Sequence, residues 1–261
     1  VYVISLTTIP ARFGTIGLIL ENLLSQAVRP ETVRLYIPRR YRRFPDWDGT
    51  LPAKPSGVDV RRPDEDLGPA TKVLFAADEL YGQDLRILFC DDDRIYLPDW
   101  STRLLRAADS HPGAAIVSTG YQLELIGLGY AGPKPAPRAI SLSKRWDMKY
   151  HLQRLRQNIA HGGRGKVPTE VKAPRNLTAR SGFVDVGEGF GGFLVRPEHF
   201  DRSAWDIPKV MWAVDDVWLS GQLAIKGVGI WAEAGASRFH TTPIQRNQAL
   251  YNAIIEGANR D

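Results

Sequence analysis

The hydrophobic residues of this chain fall into two rhythms. The opening VYVISL is an unbroken apolar run, the pattern of a strand covered on both faces of its sheet. After the turn TTIPARFG, Ile16, Ile19, Leu20, Leu23 and Leu24 recur at helical spacing. VRLYIP reads as a second strand stopped by Pro38, and VDVRR as a short third. GPATKVLFAADELYG reads as a helix with Pro69 in its first turn and Gly82 at its end. RILFC is a fourth strand. PDWSTRLLRAADSHPG is a helix with Asp99 near its start, and AAIVSTG is a fifth strand.

Strands alternating with helices over residues 1–120 predict parallel βαβ units, with ligands bound outside the carboxyl ends of the strands. Thr7, Thr8, Asp64, Asp66 and the run Asp91-Asp92-Asp93 all fall at or just after such ends. They are expected to converge in space. Residues 121–183 break the rhythm, with Gly, Pro and basic residues and one helix around DMKYHLQRLRQ. Such an insertion is a lid or a mobile loop. Its cations are Arg154, Arg156, Arg164, Lys166, Lys172, Arg175 and Arg180. Order resumes with VDVGEGFGGFLV, two strands around a Gly-rich turn. AVDDVWLSGQLAIKG follows as a helix, VGIWAEA as a strand, and SRFHTTPIQ as a loop.

The acidic run raises the first chemical question. Three adjacent carboxylates repel one another, and burial makes their charge costlier. Either water solvates them or something positive stands beside them. Oxygen-rich pairs of this kind suit Mg²⁺ or Mn²⁺, which shares its ligands with substrate phosphates. A solvated turn is the plainer alternative. Asp215 and Asp216 open a helix, where the dipole favours acids, but either could also serve as a general base. GEGFGG has little bulk and could approach a ligand closely. His240 lies beyond the last core strand, on the rim where a metal would sit.

These pieces, in this order, resemble the GT-A fold of nucleotide-sugar-dependent glycosyltransferases. VISLTTIPARF and DEDLGPATKV are similar to segments of bacterial enzymes related to family 2 of that class. The likeness implies a single GT-A domain over 1–261. Residues 1–120 would be its nucleotide-binding half, 121–183 a variable insertion or lid, and 184–261 the acceptor-side half. It implies that Asp93, Asp91 and His240 bind Mn²⁺ or Mg²⁺, and that Asp216, beside Asp215, is the catalytic base. Thr7, Thr8, Arg12, Asp66, Lys72, Asp91 and Asp92 would hold the nucleotide, and Gly191 and Gly192 would line the sugars. Where the family has Glu-Asp, this chain has Asp215-Asp216, and the shorter Asp215 reaches less far. The expected reaction moves a sugar from a nucleoside-diphosphate sugar, UDP-linked by preference, to an acceptor hydroxyl with inversion. By analogy the acceptor is a bacterial surface polysaccharide or glycolipid.

Composition narrows the alternatives. The chain has 261 residues, 43% hydrophobic and 24% charged, enough for a packed core. Net charge is +5, a sign that nucleic-acid binders share. An acid cluster at strand ends repels a phosphate backbone, however, so a nucleic-acid or carbohydrate binding module is disfavoured. A metal-dependent nucleotidyltransferase would place a Gly-rich basic loop after the first strand. TTIPARFG has one glycine and one arginine there. The basic PRRYRRF is expected to be a solvated loop. A single cysteine, Cys90, and no signal-peptide pattern in VYVISLTTIP predict a cytoplasmic protein. Peripheral contact with the inner face of a membrane is left open.

Overall fold

The computed structural model describes residues 1–129, 132–163, 166–168, 172–237 and 239–241. Fourteen strands and five α-helices order the described residues. In the first half these are β1 (Tyr2–Thr7), α1 (Ile16–Leu24), β2 (Val33–Tyr36), β3 (Val58–Arg61), α2 (Thr71–Glu79), β4 (Arg86–Phe89), β5 (Arg94–Tyr96), α3 (Trp100–Ser110) and β6 (Ala115–Val117). The insertion contributes β7 (Gly120–Tyr121), β8 (Ile140–Ser141), α4 (Met148–Ala160) and β9 (Thr178–Arg180). The last third adds β10 (Gly182–Val184), β11 (Val186–Gly187), β12 (Phe193–Val195), α5 (Asp215–Ile225), β13 (Ile230–Ala232) and β14 (Phe239–Thr241).

Eight of these strands form one sheet in the order β10-β13-β6-β12-β4-β1-β2-β3. The β4-β1-β2-β3 block is parallel throughout, with Ile4 opposite both Val33 and Leu88. Between β4 and β6 runs β12, antiparallel to both. The periodic reading of the first half therefore holds, with later strands completing the sheet beyond β4.

Both faces of the sheet are covered, which is why its strands are apolar without alternation. On β1, Ile4 and Leu6 pack with Ile16, Ile19, Leu20 and Leu23 of α1 and with Trp100 and Leu104 of α3. Val3 points the other way, into a core with Val73 and Leu74 of α2 and Leu219 and Leu223 of α5. Each such side chain contributes about 1.5–3 kcal/mol by leaving water.

One expectation fails in the last third. In SRFHTTPIQ, of which residues 238 and 242–245 lie outside the described residues, Phe239–Thr241 is β14, paired antiparallel with β5, which follows the acidic run. The hydrophobic pattern missed both because a three-residue strand carries too few positions to show a period of two.

Candidate active site

Parallel pairing sets the ends of β1 and β4 side by side, so the residues beyond them share one rim. There they line a cavity of about 400 Å³. Thr7, Thr8, Arg12, Asp66, Lys72 and the three aspartates come from the first half. Glu188, Phe190, Trp212, Asp215 and Asp216 come from the last third. The expected convergence occurs. Asp64 stays outside it, on an exposed ion pair with Arg39.

The chain supplies positive charge for its own carboxylates. The Arg12 guanidinium donates to Asp92 and lies 3.4 Å from Asp93. The Thr8 hydroxyl also donates to Asp92. Lys72, 3% exposed, places its Nζ 2.8 Å from Asp91 and 3.1 Å from Asp215. That position follows from α2, whose first turn packs against β1: the Ser5 hydroxyl donates to the Lys72 carbonyl. Arg94 lies 3.4 Å from Asp93, its guanidinium 5.3 Å from the ring centre of Phe190 and 5.1 Å from that of Phe239. Lys72 and Arg12 thus pair with the acid cluster while lining the cavity.

Among the described residues, seven carboxylates line the cavity beside Arg12, Arg43, Lys72 and Arg94. Burial raises Asp93 to about 6, with Asp91 adding to the rise. Burial and then Asp215 raise Asp216 to about 8, against the pull of Lys72. Asp91 goes the other way: burial opposes its charge, but Lys72, Arg94 and Arg12 hold it below the usual carboxylate range. Burial likewise raises Asp66, Asp92 and Glu188, so five of these acids hold protons more tightly than carboxylates ordinarily do, and Asp91 holds them less.

This donor set fits a hard divalent cation. Asp91 and Asp93 offer carboxylate oxygens at the cavity wall, and Mg²⁺ commonly takes only one or two carboxylates besides water and phosphate. Among the described residues no three His, Cys, Asp or Glu side chains stand together as a ready cage. His240 does not line the cavity. Pairing of β14 with β5 sets it opposite Ile95, and its Nδ1 lies 3.0 Å from the Lys172 carbonyl. Nor does any described residue of the insertion line it. Arg164 lies outside the described residues.

The Gly-rich turn reaches the cavity at Glu188 and Phe190. Gly191 and Gly192 do not line the cavity. A Cβ on Gly192, whose φ is +101°, would sit 2.3 Å from the Trp100 ring, and one on Gly191 would sit 2.0 Å from the Ser118 hydroxyl. Trp100 donates its indole N–H to the Gly191 carbonyl at 2.8 Å. These glycines permit close packing. The one that meets the site is Gly189, whose backbone N–H donates to Asp216 at 2.8 Å. A Cβ there would come 2.9 Å from the same carboxylate oxygen.

Sequence reading also missed Arg43 and Tyr41. The run PRRYRRF is solvated at Arg39, but Arg43 lines the cavity and the buried Tyr41 donates its hydroxyl to the Thr8 carbonyl at 2.7 Å. An aromatic residue inside a basic run was the available signal. Of the tryptophans, Trp212 is the one at the cavity; it is buried and donates to the Asp66 carbonyl at 3.2 Å.

No protein-family model matches the chain, and no curated protein matches it. Among solved structures, Staphylococcus aureus TarS residues 1–349 in complex with UDP-GlcNAc is similar over 97% of this chain, at 11% identity and a TM-score of 0.51. The same TarS fragment with UDP is similar over 92%, at 11% identity and a TM-score of 0.47. Francisella tularensis 2-C-methyl-D-erythritol 4-phosphate cytidylyltransferase is similar over 92% of this chain and 93% of its own, at 13% identity and 0.44. The chain spans about 60% of the length of the TarS fragment. At such identities the likeness speaks for architecture: this is an α/β chain with the GT-A fold.

Proposed function

We propose that this chain is a metal-dependent glycosyltransferase that moves a sugar from a nucleoside-diphosphate sugar to an acceptor hydroxyl. The observation that carries the reading is the meeting of Asp91, Asp93, Asp215 and Asp216 in one cavity, from two segments more than a hundred residues apart. The TarS fragment whose fold it shares was solved with UDP-GlcNAc, which makes UDP-sugars the first donors to try.

In this reading Asp91 and Asp93 hold Mg²⁺ or Mn²⁺, which when bound supplies positive charge against the departing diphosphate. Arg12 and Arg43, on the same lining, attract the phosphates. Asp216 takes the proton of the acceptor hydroxyl as its oxygen bonds to the anomeric carbon. The bond from that carbon to the diphosphate breaks, and the electron pair leaves on the nucleoside diphosphate. Attack opposite the leaving group inverts the anomeric centre. Raised basicity suits Asp216 to the role, and the Gly189 N–H holds its carboxylate in place. Asp215, bound to Lys72, positions its neighbour.

Calorimetric titration with UDP, GDP, dTDP and CDP tests this, in Mn²⁺ and then in EDTA, on the wild type and on Asp93→Ala. Binding of one nucleotide that needs the metal and is lost in Asp93→Ala is expected. No binding of any nucleotide under either condition would sink the reading.

A further inference from the structure

Helix α4 is inside out. Met148, Leu152, Leu155 and Ile159 follow one another at spacings of four, three and four, which stacks them within an arc of about 60°. In the folded protein this stripe faces solvent, with exposures of 72, 50, 56 and 73%. The side turned toward the body of the protein is polar: Tyr150, Arg154, Gln157 and Asn158 are its half-buried positions. Gln157 accepts there from the Ala173 N–H at 2.9 Å. No residue of the helix is fully buried. Trp146, just before it, is 71% exposed. A surface helix of a soluble domain ordinarily does the reverse.

Charge indicates what covers the stripe. Residues 144–160 carry Lys144, Arg145, Lys149, Arg154 and Arg156. The segment's carboxylate, Asp147, is buried and caps the helix by accepting from the Tyr150 N–H at 2.9 Å. A second copy of this face would set cations against cations. Lys149 and Arg156 project along one edge of the stripe, so a partner must offer apolar depth with negative charge beside it. A bilayer containing anionic lipid does both. The helix has 13 residues, and among the described residues no helix is long and apolar enough to cross a membrane. It would lie in the surface plane.

We propose that α4, with Trp146 at its amino end, seats this protein on an anionic lipid surface. The apolar stripe enters the acyl boundary, and Lys149 and Arg156 meet the headgroups. Trp146 takes the interfacial depth that tryptophan favours. The proposal does not depend on the transferase reading; it adds a second site of contact, separate from the cavity.

The test is flotation of the whole chain with two sets of vesicles, one of phosphatidylcholine alone and one of phosphatidylcholine with an equal part of phosphatidylglycerol. Flotation with the anionic set is expected. Leu152→Glu with Ile159→Glu should cut partitioning by at least about tenfold per substitution. Lys149→Glu with Arg156→Glu should cut it by about fivefold or more per charge. All four positions are exposed or surface-facing, so thermal melts should match wild type; Leu152→Gln with Ile159→Gln, good helix formers, repeat the test if they do not. The proposal falls if the protein ignores anionic vesicles or floats equally on neutral ones. It falls too if the stripe variants float like wild type, since overall positive charge would then hold the chain. Sedimentation velocity covers the remaining occupant: a dimer dissolved by Leu152→Glu would overturn the lipid in favour of a second copy.

Discussion

The rim of the sheet and the insertion break the ordinary partition of residues in opposite directions. At the rim the chain buries charge: Lys72 is 3% exposed, and Asp92, Asp93 and Asp215 are each 7%. In the insertion it exposes Met148, Leu152, Leu155 and Ile159. Buried charges and exposed apolar stripes are the two observations about burial that carry information. The rim offsets its cost by pairing, Arg12 with Asp92 and Lys72 with Asp91 and Asp215, though among the described lining residues carboxylates outnumber cations. The insertion has no such offset among its described residues. Among the described residues the rim is acid-rich and the helix has no apolar cover.

The largest expected effect comes from breaking the rim at Asp216. Asp216→Asn keeps the shape and the Gly189 contact but cannot take a proton, so turnover should fall by about 10²–10⁴-fold. The same variant should melt higher near neutral pH. In the fold Asp216 holds its proton up to about 8, against an ordinary value of 3.8. Between those values the unfolded chain binds fewer protons, so the acid costs stability progressively as pH rises, and asparagine removes that cost. Calorimetric melts of both proteins at pH 5 and pH 8, read beside initial rates, check both. Activity lost together with melting temperature would mean that Asp216 is structural.

Next in size is Lys72→Met. It fills the same space but leaves Asp91 and Asp215 facing each other without their shared cation. Removing one partner of a buried pair costs about 3–5 kcal/mol, and denaturant titration should place this variant near the low end because Asp91 is partly exposed. An equivalent change at the surface pair Arg103–Asp99 should cost less than about 1 kcal/mol. Equal losses at the two pairs would show that the rim charges are no more coupled than surface ones.

A pH profile sharpens the comparison further. With Asp216 as the base, only its ionised form is competent, so kcat/KM in the free enzyme should rise about tenfold per pH unit and level off near 8. A divalent cation bound close by favours the ionised form, and raising its concentration should move this limb to lower pH. A flat profile from pH 5 to 9 would remove Asp216 from the reaction.

The sequence made the first 120 residues legible because each helix there hides its apolar stripe and each strand is a run long enough to read. The acidic run and Thr8 were legible as chemistry at strand ends, and Asp216 as an acid at a helix start. What could not be read was pairing across distance. Nothing in GPATKV says that Lys72 meets both Asp91 and Asp215. Nothing in GEGFGG says that Gly189 meets Asp216 while Gly192 makes room for Trp100. The pairing of His240 was not legible either: its place after the last core strand says nothing of β14 lying along β5, which sets it opposite Ile95. In α4 the helix itself was legible, but its orientation was not, since a periodic stripe marks a face without naming what the face touches.

That last point yields the smallest effect and the most direct contrast between the regions. Leu20 and Leu155 are both leucines on apolar helical stripes, the first fully buried under the sheet and the second 56% exposed. Leu20→Ala should destabilise the protein by about 2–5 kcal/mol through lost transfer energy and the cavity left behind. Leu155→Ala should change stability by less than about 0.5 kcal/mol, because in water its side chain already lies outside the core. Urea titrations in buffer measure both. Repeating them with anionic vesicles present asks whether the second side chain finds its apolar environment there: lipid should stabilise wild type more than Leu155→Ala. A loss near 2 kcal/mol for Leu155→Ala in buffer alone would mean that the stripe is covered by protein in solution, and the contrast between the two regions would collapse.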